Sequence, residues 1–126
     1  MAQLLYPEFS KKVLGACFAV HNALGPGLLE SAYEGALVIE LGRRSLGCDR
    51  QVIYPLYYRG EMAGAYVADL VVEGTFILEL KAVERLLPVM EAQVINYLRL
   101  SGVPVGYLVN FAGERVVWRR FVGKRE

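Results

Sequence analysis

The chain is predicted to fold as one α/β domain, a mixed central sheet flanked by helices. Three observations lead there. Two helical patterns precede a run of strand-forming residues. A third helical pattern then separates that run from two further strands. No repeat, linker or low-complexity segment divides the 126 residues, a length that suits a single domain spanning 1–126. The helix between two strands acts as a crossover, so the strand after it is expected to run parallel to an earlier one.

The first helix is expected over 7–24. Pro7 suits a first helical turn. Leu14, Cys17, Phe18 and His21 follow helical spacing and form the expected apolar stripe. Gly25-Pro26-Gly27 stops the helix. The second helix should start just after Gly27 and end before Gly47, with Leu29, Tyr33, Ala36 and Leu37 facing inward. With Gly27 as N-cap, Glu30 is the third helical residue, where the helix dipole favours a carboxylate. Tyr33 lies one turn on, on the same side. Glu40 falls on the apolar stripe and is expected to pair with Arg43 or Arg44.

From Cys48 to Ala82 the residues are strand formers punctuated by Arg59-Gly60-Glu61 and Glu73-Gly74-Thr75, which read as hairpin turns between three antiparallel strands. Pro88 opens the third helix and Gly102 closes it. Within it Met90, Gln93, Tyr97 and Leu100 share a stripe, where Gln93 is a lone amide needing partners. Val105–Asn110 and Val116–Phe121 are the last strands.

Composition narrows the function classes. The hydrophobic fraction is 55%, yet no apolar run approaches the ~20 residues of a membrane span. The N-terminus lacks the pattern of a secretory signal, so a cytoplasmic location is expected. Cys17 and Cys48 form no metal-binding pair and read as buried free thiols. A net charge of +1 gives no global nucleic-acid signal. Two basic groups stand out locally: Arg43, Arg44 and Arg50, then Arg115, Arg119, Arg120, Lys124 and Arg125. Each is either solvated surface or a phosphate contact. His21 reads as a satisfied core histidine. The apolar excess and the aromatics Tyr54, Tyr57 and Tyr58 predict a homodimer.

The chemistry concentrates at the hairpin around Gly74. Side chains alternate along a strand. An odd loop, 73–75, pairs Val72 with Phe76 and sets Asp69 opposite Glu79, with both carboxylates in reach of one cation. A two-residue turn would instead put them on opposite faces. Oxygen ligands of this kind suit Mg²⁺ or Mn²⁺. Lys81 follows Glu79 by two residues and shares its face. A solvated edge hairpin carrying an acid–base pair is the competing explanation.

The stretch 20–34 (VHNALGPGLLESAYE) resembles the signature of the GxxExxY family of the PD-(D/E)XK nuclease superfamily, its Gly, Glu and Tyr falling on Gly27, Glu30 and Tyr33. Ala68-Asp69-Leu70-Val71-Val72, Glu79-Leu80-Lys81, Gln93-Val94-Ile95-Asn96-Tyr97-Leu98 and Leu108-Val109-Asn110-Phe111 resemble its remaining core in the right order. The resemblance implies a divalent-metal site made by Glu30, Asp69, Glu79 and the Leu80 carbonyl. It implies catalytic roles for Asp69, Glu79, Lys81, Gln93 and Tyr97, and phosphodiester hydrolysis with DNA as the nucleic-acid partner. A non-cleaving nucleic-acid- or protein-binding module with the same fold is the alternative. Ala68 stands where the superfamily name has Pro, and Met90 where many relatives have His.

Overall fold

The computed structural model describes residues 6–123. Its elements are α1 (Pro7–Leu24), α2 (Glu30–Arg43), β1 (Cys48–Tyr58), β2 (Glu61–Val72), β3 (Phe76–Lys81), α3 (Pro88–Ser101), β4 (Val105–Asn110) and β5 (Val117–Val122). The last strand begins one residue later than its sequence pattern suggests. The five strands form one mixed sheet in chain order. Only the β3–β4 pair is parallel, as the α3 crossover requires. No helix among the described residues is long and apolar enough to cross a membrane.

The sheet separates two apolar layers. On one side α1 and α2 bury Val13, Cys17, Tyr33, Leu37 and Leu41 against Leu70, Val72, Phe76, Leu78 and Leu80. On the other, α3 covers Ala68, Val71 and Ile77 with Leu98. That second contact is close. A Cβ on Gly106 would lie 2.8 Å from Val94 Cγ1 and 3.2 Å from Leu98 Cδ2, so this strand position admits only glycine without a shift.

Several helix faces are rotated from their expected positions. The buried residues of α2 are Tyr33, Glu34, Leu37 and Leu41, whereas Leu29 is 78% exposed and precedes the helix. On α1, Ala16, Val20 and His21 turn inward and Phe18 lies outward. On α3 the buried pair is Val94 and Leu98, so Gln93 and Leu100 are exposed and no buried amide exists there. The physical reason is common to all three. Each helix packs on one sheet face only, and its apolar residues outnumber the positions that face can cover.

β1 and β2 are about twice as long as β3 and pair with each other to their far ends. The last β2–β3 pair is Leu70 with Leu78, so the β1–β2 hairpin continues past the rest of the sheet as an arm. Ile53, Tyr57, Tyr58 and Met62 are exposed on it. Its tip, Arg59-Gly60, takes left-handed conformations at both residues, as a two-residue hairpin turn demands.

Cys17 is buried and Cys48 only partly so; both are free. Burial pushes the Cys17 thiol up to about 12. Both thiols are therefore poor nucleophiles at neutral pH.

Candidate metal centre

The loop at Gly74 has the odd length. Val72 pairs with Phe76, Val71 with Ile77 and Leu70 with Leu78. Continuing that register sets Asp69 opposite Glu79, but there the ladder opens. Each carboxylate instead takes a main-chain amide of the other strand. Asp69 N–H donates to Glu79 Oε2 at 2.9 Å, and Leu80 N–H donates to Asp69 Oδ2 at 2.8 Å. The two acids thus stand in a fork between β2 and β3, held by reciprocal side-chain-to-backbone bonds.

The same level is irregular on the other side of β2. Arg50 pairs with Leu70 and Val52 with Ala68, yet Gln51, opposite Asp69, has a left-handed φ of 50°. Side-chain alternation slips there too, because Ala68 joins the α3-side layer together with Val71 instead of the layer of Leu70 and Val72. Backbone strain of this kind concentrates where a site must be shaped against the regular pleat.

Electrostatics single out the acids. Glu79 is 6% exposed, which rules out a solvated acid–base face. Burial first, then the Asp69 charge, push its carboxyl up to about 8, against the lowering effect of the Asp69 amide and Lys81. Asp69 is raised as well, chiefly by burial, with Glu34 and Glu30 adding to it while the Leu80 amide and Lys81 oppose. Two adjacent carboxyls that resist ionising lack a compensating positive charge. Their hard oxygen donors fit a divalent cation such as Mg²⁺ or Mn²⁺. Among the described residues no three His, Cys, Asp or Glu side chains are already gathered around one metal position. A cation at the fork would therefore have Asp69 and Glu79 as its side-chain ligands.

Glu30 begins α2 as its first helical residue, not its third, because Leu29 and not Gly27 is the N-cap. Glu30 is solvent-exposed, and its Oε2 makes a long 3.4 Å contact with the Ala82 amide, just beyond Lys81. Its charge also raises both the Asp69 and the Glu79 carboxyls, the smallest of the effects on each. Tyr33 explains how it is placed. The Tyr33 hydroxyl donates to Gly25 O at 2.6 Å and accepts from Leu28 N–H at 3.2 Å, pinning the glycine loop that delivers Glu30. Its ring stacks on Phe111 at 4.7 Å.

Lys81 is partly buried at the end of β3, level with Asn110 of β4. Its charge lowers both the Glu79 and the Asp69 carboxyls, so its ammonium is within electrostatic reach of the fork. Leu80 points its side chain into the α1–α2 core, opposite to Glu79. Tyr97 lies near the fork too. Its hydroxyl is raised by burial and then by Glu79 and Asp69. Its ring stacks on Tyr66 at 3.9 Å, and the Tyr66 hydroxyl donates to the Tyr97 carbonyl at 2.6 Å. Gln93 is the candidate left on the exposed side of α3.

Two supporting residues escaped the sequence reading. Glu34 is buried and accepts from Arg50 Nε and Nη2 at 3.1 and 3.0 Å and from Gln51 Nε2 at 2.8 Å, beside Asp69. Its place one helical turn after Glu30 is the signal that could have found it. Asn110 is buried, donates to Val83 O at 2.8 Å and accepts from Val83 N–H at 3.1 Å, clamping the segment after Lys81. Of the first basic group, Arg50 is thus committed to Glu34 and Arg44 to Glu40 at 2.8 Å, as expected for Glu40. His21 Nε2 lies 2.9 Å from Gly113 O, a satisfied core histidine. Lys124 and Arg125 of the second group lie outside the described residues.

Comparison with known proteins identifies the family. A family model described as the PD-(D/E)XK nuclease superfamily matches residues 7–121. No curated protein matches significantly. Among solved structures, "Crystal structure of SSO0001" superposes with a TM-score of 0.58 at 17% identity, covering 96% of this chain and 61% of that one. The chain therefore spans about three fifths of that structure's length. An alkaline exonuclease from Laribacter hongkongensis (LHK-Exo) superposes with a TM-score of 0.51 at 9% identity, covering 92% of this chain and 81% of that one. At such identities the superpositions establish a shared fold. The family match covers most of the chain: it belongs to the PD-(D/E)XK nuclease superfamily.

Proposed function

We propose that the chain is a Mg²⁺- or Mn²⁺-dependent nuclease that hydrolyses phosphodiester bonds in DNA, of the GxxExxY type within its superfamily. One observation carries the reading: Asp69 and Glu79 meet in a fork of the sheet, the first half-buried and the second buried, both raised, with the Lys81 charge acting on them. Asp69 and Glu79, with the Leu80 carbonyl and Glu30, would hold the cation. A bound divalent ion supplies a water ionisable near neutral pH and a counter-charge for the transition state. The protein's own groups do the rest. Glu79 gives up its proton when the site fills. Lys81 brings a positive charge to the phosphate oxygen or the attacking water. Tyr97, held by Tyr66, orients Lys81 or the phosphate. The test is cleavage of duplex and single-stranded DNA with Mg²⁺, which should vanish in Lys81→Ala while the fold persists. Cleavage that survives this substitution would remove the proposal.

The amide bonds that already occupy one oxygen of each acid also fit a second reading, a module that binds nucleic acid or a protein without cutting. It predicts salt-dependent DNA binding with no product at any Mg²⁺ concentration. We also propose a homodimer formed through the exposed apolar arm of β1 and β2. A solution mass of one chain at micromolar concentration would contradict it.

A further inference from the structure

The last turns of α1 and the loop between β4 and β5 line a partly open cavity of about 400 Å³, with none of the fork's residues in its lining. Its size lies in the range of small-ligand clefts, roughly 300–1,000 Å³. Phe18, His21, Asn22, Glu114, Arg115 and Trp118 line it.

Each of these residues leaves something over that the fold does not use. Phe18 and Trp118 are 42% and 38% exposed, large rings turned out of the core. Trp118 rests edge-on against Tyr107, with ring centroids 5.9 Å apart, so its orientation is fixed. His21 is 6% exposed, and one ring nitrogen is bonded to Gly113 O. A carbonyl only accepts, so Nε2 carries the proton and Nδ1 remains an acceptor in the neutral ring. Among the described residues neither Glu114 nor Arg115 forms an ion pair, although they are neighbours of opposite charge. The lining therefore combines two aromatic surfaces, an amide, a ring acceptor, a carboxylate and a guanidinium. Aromatic faces suit a planar heterocycle, and amide and acid groups suit its edges and a sugar hydroxyl. The guanidinium suits a phosphate.

We propose that this cavity binds a nucleoside 5′-phosphate unit. The base lies against Phe18 and Trp118, Asn22, His21 and Glu114 bond to the base edge or ribose, and Arg115 holds the phosphate. The unit comes either as a free nucleotide or as an unpaired residue of a strand. The second source rests on the nuclease reading; the first does not.

Trp118 is the chain's one tryptophan, so its fluorescence reports on this cavity. The full-length protein is titrated with adenosine monophosphate, adenosine, inorganic phosphate and a short oligo-dA, without divalent metal. Saturable quenching by the monophosphate is expected, at least about tenfold weaker with adenosine or phosphate alone. Arg115→Ala, an exposed change, should weaken the monophosphate about tenfold and leave the melting temperature unchanged. Asp69→Ala should leave it unaltered, which separates this proposal from the metal-site reading. Oligo-dA that competes with the monophosphate identifies a strand as the source. Monophosphate binding with no competition from oligo-dA identifies a free nucleotide. No saturable change with any probe up to about 10 mM, or equal binding by Arg115→Ala, would overturn the proposal.

Discussion

The β2–β3 hairpin contains two regions built on opposite terms. Next to the turn, Leu70, Val72, Phe76 and Leu78 pair in a regular ladder and are fully buried. At the very next residue on each strand the ladder stops, and Asp69 and Glu79 replace it with side-chain bonds to the opposite main chain. The first region gains stability from burial. The second gives some up, since it holds a buried Glu79 and a half-buried Asp69 that resist ionisation. The fork is thus an interruption of the sheet, tolerated because a well-packed segment adjoins it.

The largest expected effect is on chemistry. Lys81→Ala should abolish detectable cleavage, a fall of at least about 10³-fold, with a melting temperature close to wild type. Binding and single-turnover assays would separate loss of charge at the phosphate from loss of metal. A parallel fall in metal affinity would assign Lys81 to the structure of the fork instead.

Within the regular region, Leu78→Ala should destabilise by about 3–5 kcal/mol, equally with and without Mg²⁺. Denaturant unfolding reads it. A metal-dependent loss would mean that the two regions are not separable.

In the fork the sign reverses. Glu79 is protonated in the folded protein up to about 8 but ionises from about 4.5 when unfolded. Metal-free stability is therefore full below pH 4.5 and falls as pH rises through 8, by a few kcal/mol at most. Glu79→Gln should flatten that slope and stabilise the metal-free protein at pH 8. Thermal melts from pH 5 to 9 test it, and a slope unchanged in Glu79→Gln would place the titration elsewhere. Wild-type metal affinity should rise over the same range, because the cation displaces a proton.

The smallest effect concerns delivery of Glu30. Tyr33→Phe loses the bonds to Gly25 and Leu28 and should cost about 1 kcal/mol. Its cleavage should fall more than its stability does, because the loop then holds Glu30 loosely.

Much of this was legible in the sequence, for identifiable reasons. The parity of residues about Gly74 set Asp69 against Glu79, and the glycine itself adopts the left-handed turn that fixes the odd loop. Pro88 and Gly102 bounded α3 correctly. What periodicity could not reveal was which of several apolar stripes turns inward. Gln93 and Val94 are neighbours in sequence, and the choice between them is made by Gly106, which lets α3 approach closely at Val94. The left-handed Gln51 and the slip at Asp69 carry no local signal, since a non-glycine there is sustained by tertiary bonds to Glu34. Glu34 itself was hidden as an ordinary helical acid until its partner Arg50 arrived from a distant strand.

The central claim is that one divalent cation sits in the fork. A crystal soaked with Mn²⁺ and measured for anomalous scattering tests it most directly. The account predicts a peak bonded to the carboxylates of both Asp69 and Glu79, absent from Asp69→Ala crystals. A saturating soak with no peak between them, or with the same peak in Asp69→Ala, would contradict it.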